Sequence, residues 1–325
     1  MNYRDLGSTG MKISEISFGT WAIGGSWGNS NDTEAVKGLE RAVSEGVNFF
    51  DTADVYGDGH AEELLGRTVK PQDAYIASKF CRSGDIHDPQ TYSENNVRSY
   101  LEATLRRLKR DELDLYQIHC PPKEIIENAD VFAVLDKLKQ EGKIKHYGVS
   151  VETVEEGLLC LEYPGVSTLQ VIYNIFRQKP AQELFPQAVE KNVGILARVP
   201  LASGLLTGKF KENHQFENDD HRNFNADGEH FNVGETFGGI PFSTGVALSR
   251  ELDWISEGRG SMTRASLKWV LEHEAVSAVI PGFKREEQVS DSIEAVNVKG
   301  FRTEEMERLE QFYDRQVHDV IRGAY

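Results

Sequence analysis

The chain has 325 residues, 39% hydrophobic and 27% charged, enough for a full core and unlike a disordered or coiled-coil sequence. Its 36 basic and 52 acidic residues leave a formal net charge of −16, which repels nucleic acid and anionic membranes over most of the surface. No apolar run approaches the roughly 20 residues of a membrane span, residues 1–14 lack a signal pattern, and Cys81, Cys120 and Cys160 are too scattered for a disulfide scaffold. These features predict a globular cytoplasmic protein with neither nucleic acid nor membrane as a partner.

Residues 3–13, with Gly7 and Gly10 in a turn, read as a hairpin ahead of the first main strand. Short β-rich runs follow at 16–20, 47–52, 74–80, 113–119, 146–150, 168–173, 194–199 and 276–280. Helix-like stretches lie between them, among them 33–45, 94–108, 130–141, 182–191 and 262–273. In 94–108, Val97, Leu101, Leu105 and Leu108 form one apolar helical face, and Gly46 and Gly142 follow two of the helices as C-caps. Strand and helix alternating eight times in roughly 300 residues predicts a (β/α)8 TIM barrel, an α/β fold, as one domain over residues 1–325. A doubly wound sheet usually carries G-x-G-x-x-G after its first strand, and the chain has none. Residues 210–242 break the rhythm. They are polar, yet carry Phe216, Phe224, Phe231 and Phe237, which predicts a long loop folded over the barrel mouth.

In a barrel, chemistry sits where strands end. Asp51, Lys79, His119 and Gln170 stand at such ends. A lone Asp there often caps a helix, and a lone His often packs. Four polar groups at equivalent positions point instead to one site, since buried charge is costly unless paired. Such a mouth supports a Schiff base on the lysine, or a lysine that tunes a neighbouring acid. Tyr56, five residues past Asp51, favours the second, because a nearby ammonium lowers a phenol from its usual value of about 10.

The motifs FDTADVYG, SKF, QIHCPP, YGVS, QVIYN, VPLASGLLTGK and IPGFKREEQ, in this order over residues 7–314, resemble the aldo-keto reductase superfamily. ARVPLASGLLTGK is most similar to its bacterial, potassium-channel-β-subunit-like branch. The resemblance implies a barrel that binds NADP(H) without a Rossmann domain, a small carbonyl substrate, no metal, and a catalytic tetrad of Asp51, Tyr56, Lys79 and His119. Tyr56 would donate a proton to the developing alkoxide, Lys79 tune it, Asp51 anchor Lys79, and His119 orient the carbonyl.

By the same resemblance, Gly19, Thr20, Trp21 and Asp51 contact the cofactor near the first strand ends, and Ser150 and Gln170 hold the nicotinamide amide. Pro200, Leu201, Ser203, Gly204 and Lys209 strap the pyrophosphate, while Gly282, Lys284, Gln288 and Asp291 hold the adenosine end. Three positions depart from the family pattern: Val151 and Ser292 replace Asn, and Arg198 replaces an aromatic that stacks on the nicotinamide. A stacked guanidinium would repel the oxidised, cationic ring; the alternative is that Arg198 turns away and pairs with an acidic residue outside the groove. Lys284 and Arg285 precede a helix N-terminus, where two cations are unfavourable without an anion such as the NADP 2′-phosphate, although Glu286 and Glu287 partly answer the dipole. Trp21, Trp27, Tyr56, Phe80 and the Phe-rich segment predict an apolar, aromatic-tolerant pocket. The rival functions are a Schiff-base lyase using Lys79 and a redox-sensing accessory protein that binds NADP(H) and turns over slowly.

Overall fold

The computed structural model describes residues 1–24 and 31–325; Trp27 lies outside the described residues. Strands β1 (Tyr3–Asp5) and β2 (Lys12–Ser14) pair antiparallel as the expected hairpin. Eight strands follow: β3 (Phe18–Gly19), β4 (Phe49–Asp51), β5 (Tyr75–Phe80), β6 (Leu113–His119), β7 (Ile144–Ser150), β8 (Val166–Ile172), β9 (Gly194–Arg198) and β10 (Val276–Ile280). Each pairs parallel with the next in sequence order. Parallel bridges Ile16↔Val279 and Gly19↔Gly282 join the first strand region to the last and close the barrel.

All seven residues of β6 and all seven of β8 are buried, because one face lines the barrel and the other meets the helices. Among the wrapping helices are Asp32–Ser44, Glu94–Leu108, Asp130–Gln140, Pro180–Glu190 and Met262–Leu271, close to the predicted spans. The foot of the barrel is filled by Phe49, Ala77, Leu115, Leu196 and Ala278. Leu6, Met11 and Ile13 of the hairpin pack into that cluster and plug it from below.

Side chains alternate along a strand, so the inward row continues two residues further up. Asp51 follows Phe49, Lys79 follows Ala77, Gln117 and His119 follow Leu115, and Arg198 follows Leu196. The same alternation that makes the foot apolar therefore delivers polar side chains to the mouth.

Candidate active site

At the C-terminal ends of the strands lies a cavity of about 810 Å³. Lys79 is fully buried beneath its floor. Its Nζ donates to Asp51 Oδ1 at 2.6 Å, to the Thr52 carbonyl at 2.9 Å and to Tyr56 OH at 3.4 Å, which engages all three ammonium protons. The other Asp51 oxygen accepts from Gln170 Nε2 at 2.7 Å and from Gln117 Nε2 at 3.3 Å. The aspartate therefore cannot swing away from the lysine without losing two further bonds.

Burial alone would lower the Lys79 ammonium, but Asp51 and then Tyr56 outweigh it and hold its pKa above the ordinary value. Tyr56 departs from the sequence expectation. Burial pushes its phenol up, Lys79 opposes, and Asp51 and Glu235 add to the rise, so the net shift is upward. Burial is the largest cause and outweighs the lysine charge, which Asp51 in turn partly answers. His119 stands edge-on to Tyr56, ring centroids 5.9 Å apart. Burial, then the cations Arg82, Lys79 and Arg198, push its imidazole well below the usual range, so it is neutral at pH 7.

The long segment covers this mouth as expected. His221 and Phe231 pack on Trp21 at 4.6 and 5.9 Å between ring centroids, and Phe237 N donates to Ser203 Oγ at 3.0 Å. Phe216 instead packs laterally on Phe210 and Phe242, and Phe224 on Phe231.

A family model described as "Aldo/keto reductase family" matches residues 15–314. The chain is 26% identical to aldo-keto reductase YhdN of Bacillus subtilis over 99% of this chain and 96% of that one. It is 27% identical to a probable voltage-gated potassium channel subunit beta of Arabidopsis thaliana over 92% of each. Among solved structures, the glycerol dehydrogenase of Gluconobacter oxydans superposes with a TM-score of 0.77 at 30% identity, over 100% of this chain and 98% of that one. The chain belongs to the aldo-keto reductase family.

In this aldo-keto reductase the cavity is lined by Gly19, Trp21, Asp51, Tyr56, His119, Gln170 and Arg198, and further along by Pro200, Leu201, Ser203, Gly204, Lys209, Gly282, Lys284 and Gln288. Thr20, Ser150, Asp291 and Ser292 are not among the lining residues. Thr20 Oγ1 donates to the Asp51 carbonyl at 3.1 Å, Ser150 Oγ lies 3.5 Å from Cys120 Sγ, Asp291 pairs with Arg264 at 2.7 Å, and Ser292 is buried. Phe80 is fully buried against Tyr116, rings 4.6 Å apart, and is not among the lining residues.

Arg198 has an acidic partner, as the alternative reading allowed, but that partner lies in the cavity wall rather than outside the groove. Arg198 lines the cavity, and its Nη1 is paired with Glu235 at 2.5 Å, both side chains being more than nine-tenths buried. Its Nη2 donates to the Val151 carbonyl at 3.2 Å. The paired carboxylate answers the charge, so the expected repulsion of a cationic ring loses its source. Burial raises the Glu235 carboxyl, but Arg198 and Arg82 outweigh that and keep it below the usual range.

Arg82, Glu152, Asn232 and Glu235 complete the mouth and were not singled out from the sequence. Arg82 and Glu152 each stand two residues past a strand end, Phe80 and Ser150, so the rule that found Asp51 reaches them too. Asn232 and Glu235 lie in the irregular segment, where no periodicity marks them. Cys120, Glu152 and Glu235 come within 4.8 Å of one another, but the guanidiniums of Arg82 and Arg198 already answer the carboxylates, a setting that disfavours a metal cation.

Proposed function

We propose that this aldo-keto reductase is an NADPH-dependent carbonyl reductase that converts an aldehyde or ketone to an alcohol, with Tyr56 as proton donor. The observation that carries the reading is the fully buried Lys79–Asp51 pair held against the Tyr56 hydroxyl at a cavity that His119 also lines. When bound, the reduced nicotinamide supplies a hydride to the carbonyl carbon. Tyr56, with its pKa raised, holds its proton at pH 7 and has it ready for the carbonyl oxygen. Lys79 donates to the phenol oxygen rather than accepting from it, which leaves the hydroxyl proton free to point at substrate. As the proton leaves, the phenolate that forms gains from the adjacent ammonium, and Asp51 keeps that ammonium charged and in place. Neutral His119 offers a hydrogen bond to the carbonyl without competing as the acid.

The cavity suits a dinucleotide phosphate. Away from Tyr56 it is lined by Lys209, Arg222 and Lys284. Along the same cavity the backbone turns through left-handed residues Val199, Ala202, Ser203 and Gly204, with φ of 52°, 47°, 53° and 103°, the kind of chain path that forms anion-binding concavities. Gly204 permits it, since a Cβ there would lie 2.9 Å from the Phe210 ring. The lyase alternative fits poorly, because a Schiff-base lysine must shed its proton, whereas Lys79 is held charged with every proton engaged.

Tyr56→Phe tests the reading. Carbonyl reduction should fall at least roughly a thousandfold in kcat while NADPH binding stays within about threefold, because the ring remains and only the acid is lost. Wild-type kcat in that variant would sink it. Slow NADP(H) release with negligible turnover of every carbonyl by the wild type would favour the redox-sensing role instead.

A further inference from the structure

Beyond Tyr56 and His119 the cavity wall carries charged side chains, Arg82 and Glu152, beside apolar ones such as Val55, Ile86 and Phe231. Arg82 leaves the end of β5 and Glu152 the end of β7, and they meet at 3.1 Å between Nη2 and Oε1. Arg82 Nε donates to the His119 carbonyl at 3.3 Å, which ties the pair to the catalytic histidine. From the covering segment, Asn232 Nδ2 donates to Glu152 Oε2 at 2.6 Å. The Arg82 and Glu152 side chains are 19% and 24% exposed and both line the cavity. Arg82 Nη1 has no protein partner among the described residues. Burial, then the neighbouring Glu235, push the Glu152 carboxyl up, so another donor to it would be welcome.

We propose that Arg82 and Glu152 form a hydroxyl-reading subsite, so that the preferred carbonyl substrate carries hydroxyl groups on the carbons next to its carbonyl. A guanidinium only donates and a carboxylate only accepts, whereas a hydroxyl does both. Side by side, the two charged groups match the two halves of one O–H. An alkyl chain in the same place strips water from both and returns nothing, while a hydroxylated chain replaces that water. A neutral polar substrate fits better than an anionic one, because Glu152 and Glu235 balance Arg82 and Arg198. The pair adds a polar patch to the aromatic pocket expected from the sequence, of which Trp21, Tyr56 and Phe231 line the cavity and Phe80 does not.

The inference rests on the carbonyl-reductase reading, and its test separates the two. Glyceraldehyde and propanal differ only by two hydroxyls. Because those hydroxyls also change intrinsic reactivity, the readout is the glyceraldehyde-to-propanal ratio of kcat/KM, compared between wild type and Glu152→Ala. That ratio should fall about ten- to hundredfold in the variant, as expected for lost hydrogen bonds to a charged group. An unchanged ratio overturns the subsite. A second measurement needs no variant: in saturation-transfer NMR on the NADP-loaded wild type, glycerol should show transfer from the protein and 1-propanol much less. Equal or stronger transfer to 1-propanol also overturns it. If neither aldehyde consumes NADPH, the reductase reading fails, and the NMR comparison still decides the subsite.

Discussion

Asp54 stands two residues before Tyr56 and is buried, with Ser83 Oγ donating to its Oδ2 at 3.0 Å and no partner for Oδ1 among the described residues. Burial, then the carboxylate of Glu62, push it up to about 6 from an ordinary 3.8. A carboxyl with a raised folded-state pKa binds protons that the unfolded chain has already released. Stability is therefore lost as pH rises from about 4 through about 6, by an amount on the order of 2 kcal/mol. Asp54→Asn keeps an acceptor for Ser83 and removes the charge. It should stabilise the protein by about 1–3 kcal/mol at pH 8 and by only about a third of that at pH 4.5 in urea unfolding; an equal gain at both would mean that the charge is not the cause. Lys284 is a second residue with a definite expectation. Burial lowers its ammonium, Asp220 opposes, Arg222 adds to the shift, and Glu217 and Asp219 oppose it further, so burial rather than neighbouring cations sets the direction. Lys284→Ala should weaken NADPH about ten- to hundredfold and NADH little, from roughly 1.5–3 kcal/mol of charge-assisted contact. Titration of both cofactors checks it, and an equal loss would show that Lys284 does not read the 2′-phosphate. The positions of Asp51, Lys79 and His119 were legible because strand ends are a local property. The direction of the Tyr56 shift was not, because it turns first on how deeply the fold buries the phenol, with Lys79 opposing and Asp51 adding to the rise.

The segment over the mouth is held by more than its aromatics. Arg322 donates from its main-chain N and its Nε to the Gly239 carbonyl at 3.1 and 3.0 Å, from Nη2 to the Ala226 carbonyl at 2.9 Å, and pairs with Asp227. Buried Arg177 donates to the Gly238 carbonyl at 3.2 Å and stacks on the Tyr325 ring at 4.6 Å. The last residues of the chain thus clamp a loop that carries Asn232 and Glu235 into the cavity. Arg322→Ala should leave the barrel intact and loosen this loop, raising substrate KM about three- to tenfold with a smaller change in kcat. Limited proteolysis should cut within 210–242 faster than in wild type, and an unchanged cleavage rate would sink the clamp. The segment was visible in the sequence as a break in periodicity with spaced phenylalanines. Its anchoring was not, because Arg322 reaches it only through the fold. The short helices Lys123–Asn128 and Val154–Cys160 also escaped prediction, since too few turns repeat for a face to show.

At the scale of the molecule, the plug and the mouth sit at opposite ends of one barrel. Gly7 has φ of 49°, and a Cβ there would lie 2.4 Å from Gly194 N and 2.8 Å from the Asn192 carbonyl. Gly10, φ 73°, has nothing within 4 Å of a Cβ. Gly7→Ala should therefore cost roughly 2–4 kcal/mol and Gly10→Ala about 1 kcal/mol in urea unfolding; equal losses would mean that the hairpin does not press on the barrel foot. The sequence by itself determined the eightfold strand–helix order, the hairpin and the strand ends that bring Asp51, Lys79, His119 and Gln170 to one mouth, because the polarity of strand ends and the rhythm of elements are written locally. Only the tertiary structure decided that Arg198 is neutralised by Glu235, that Thr20, Ser150, Asp291 and Ser292 are not among the lining residues, and that Arg82 and Glu152 meet in the cavity wall. Those outcomes depend on which side chains from distant segments meet in space, and the energy of a buried charge is set by that meeting rather than by its neighbours in the chain.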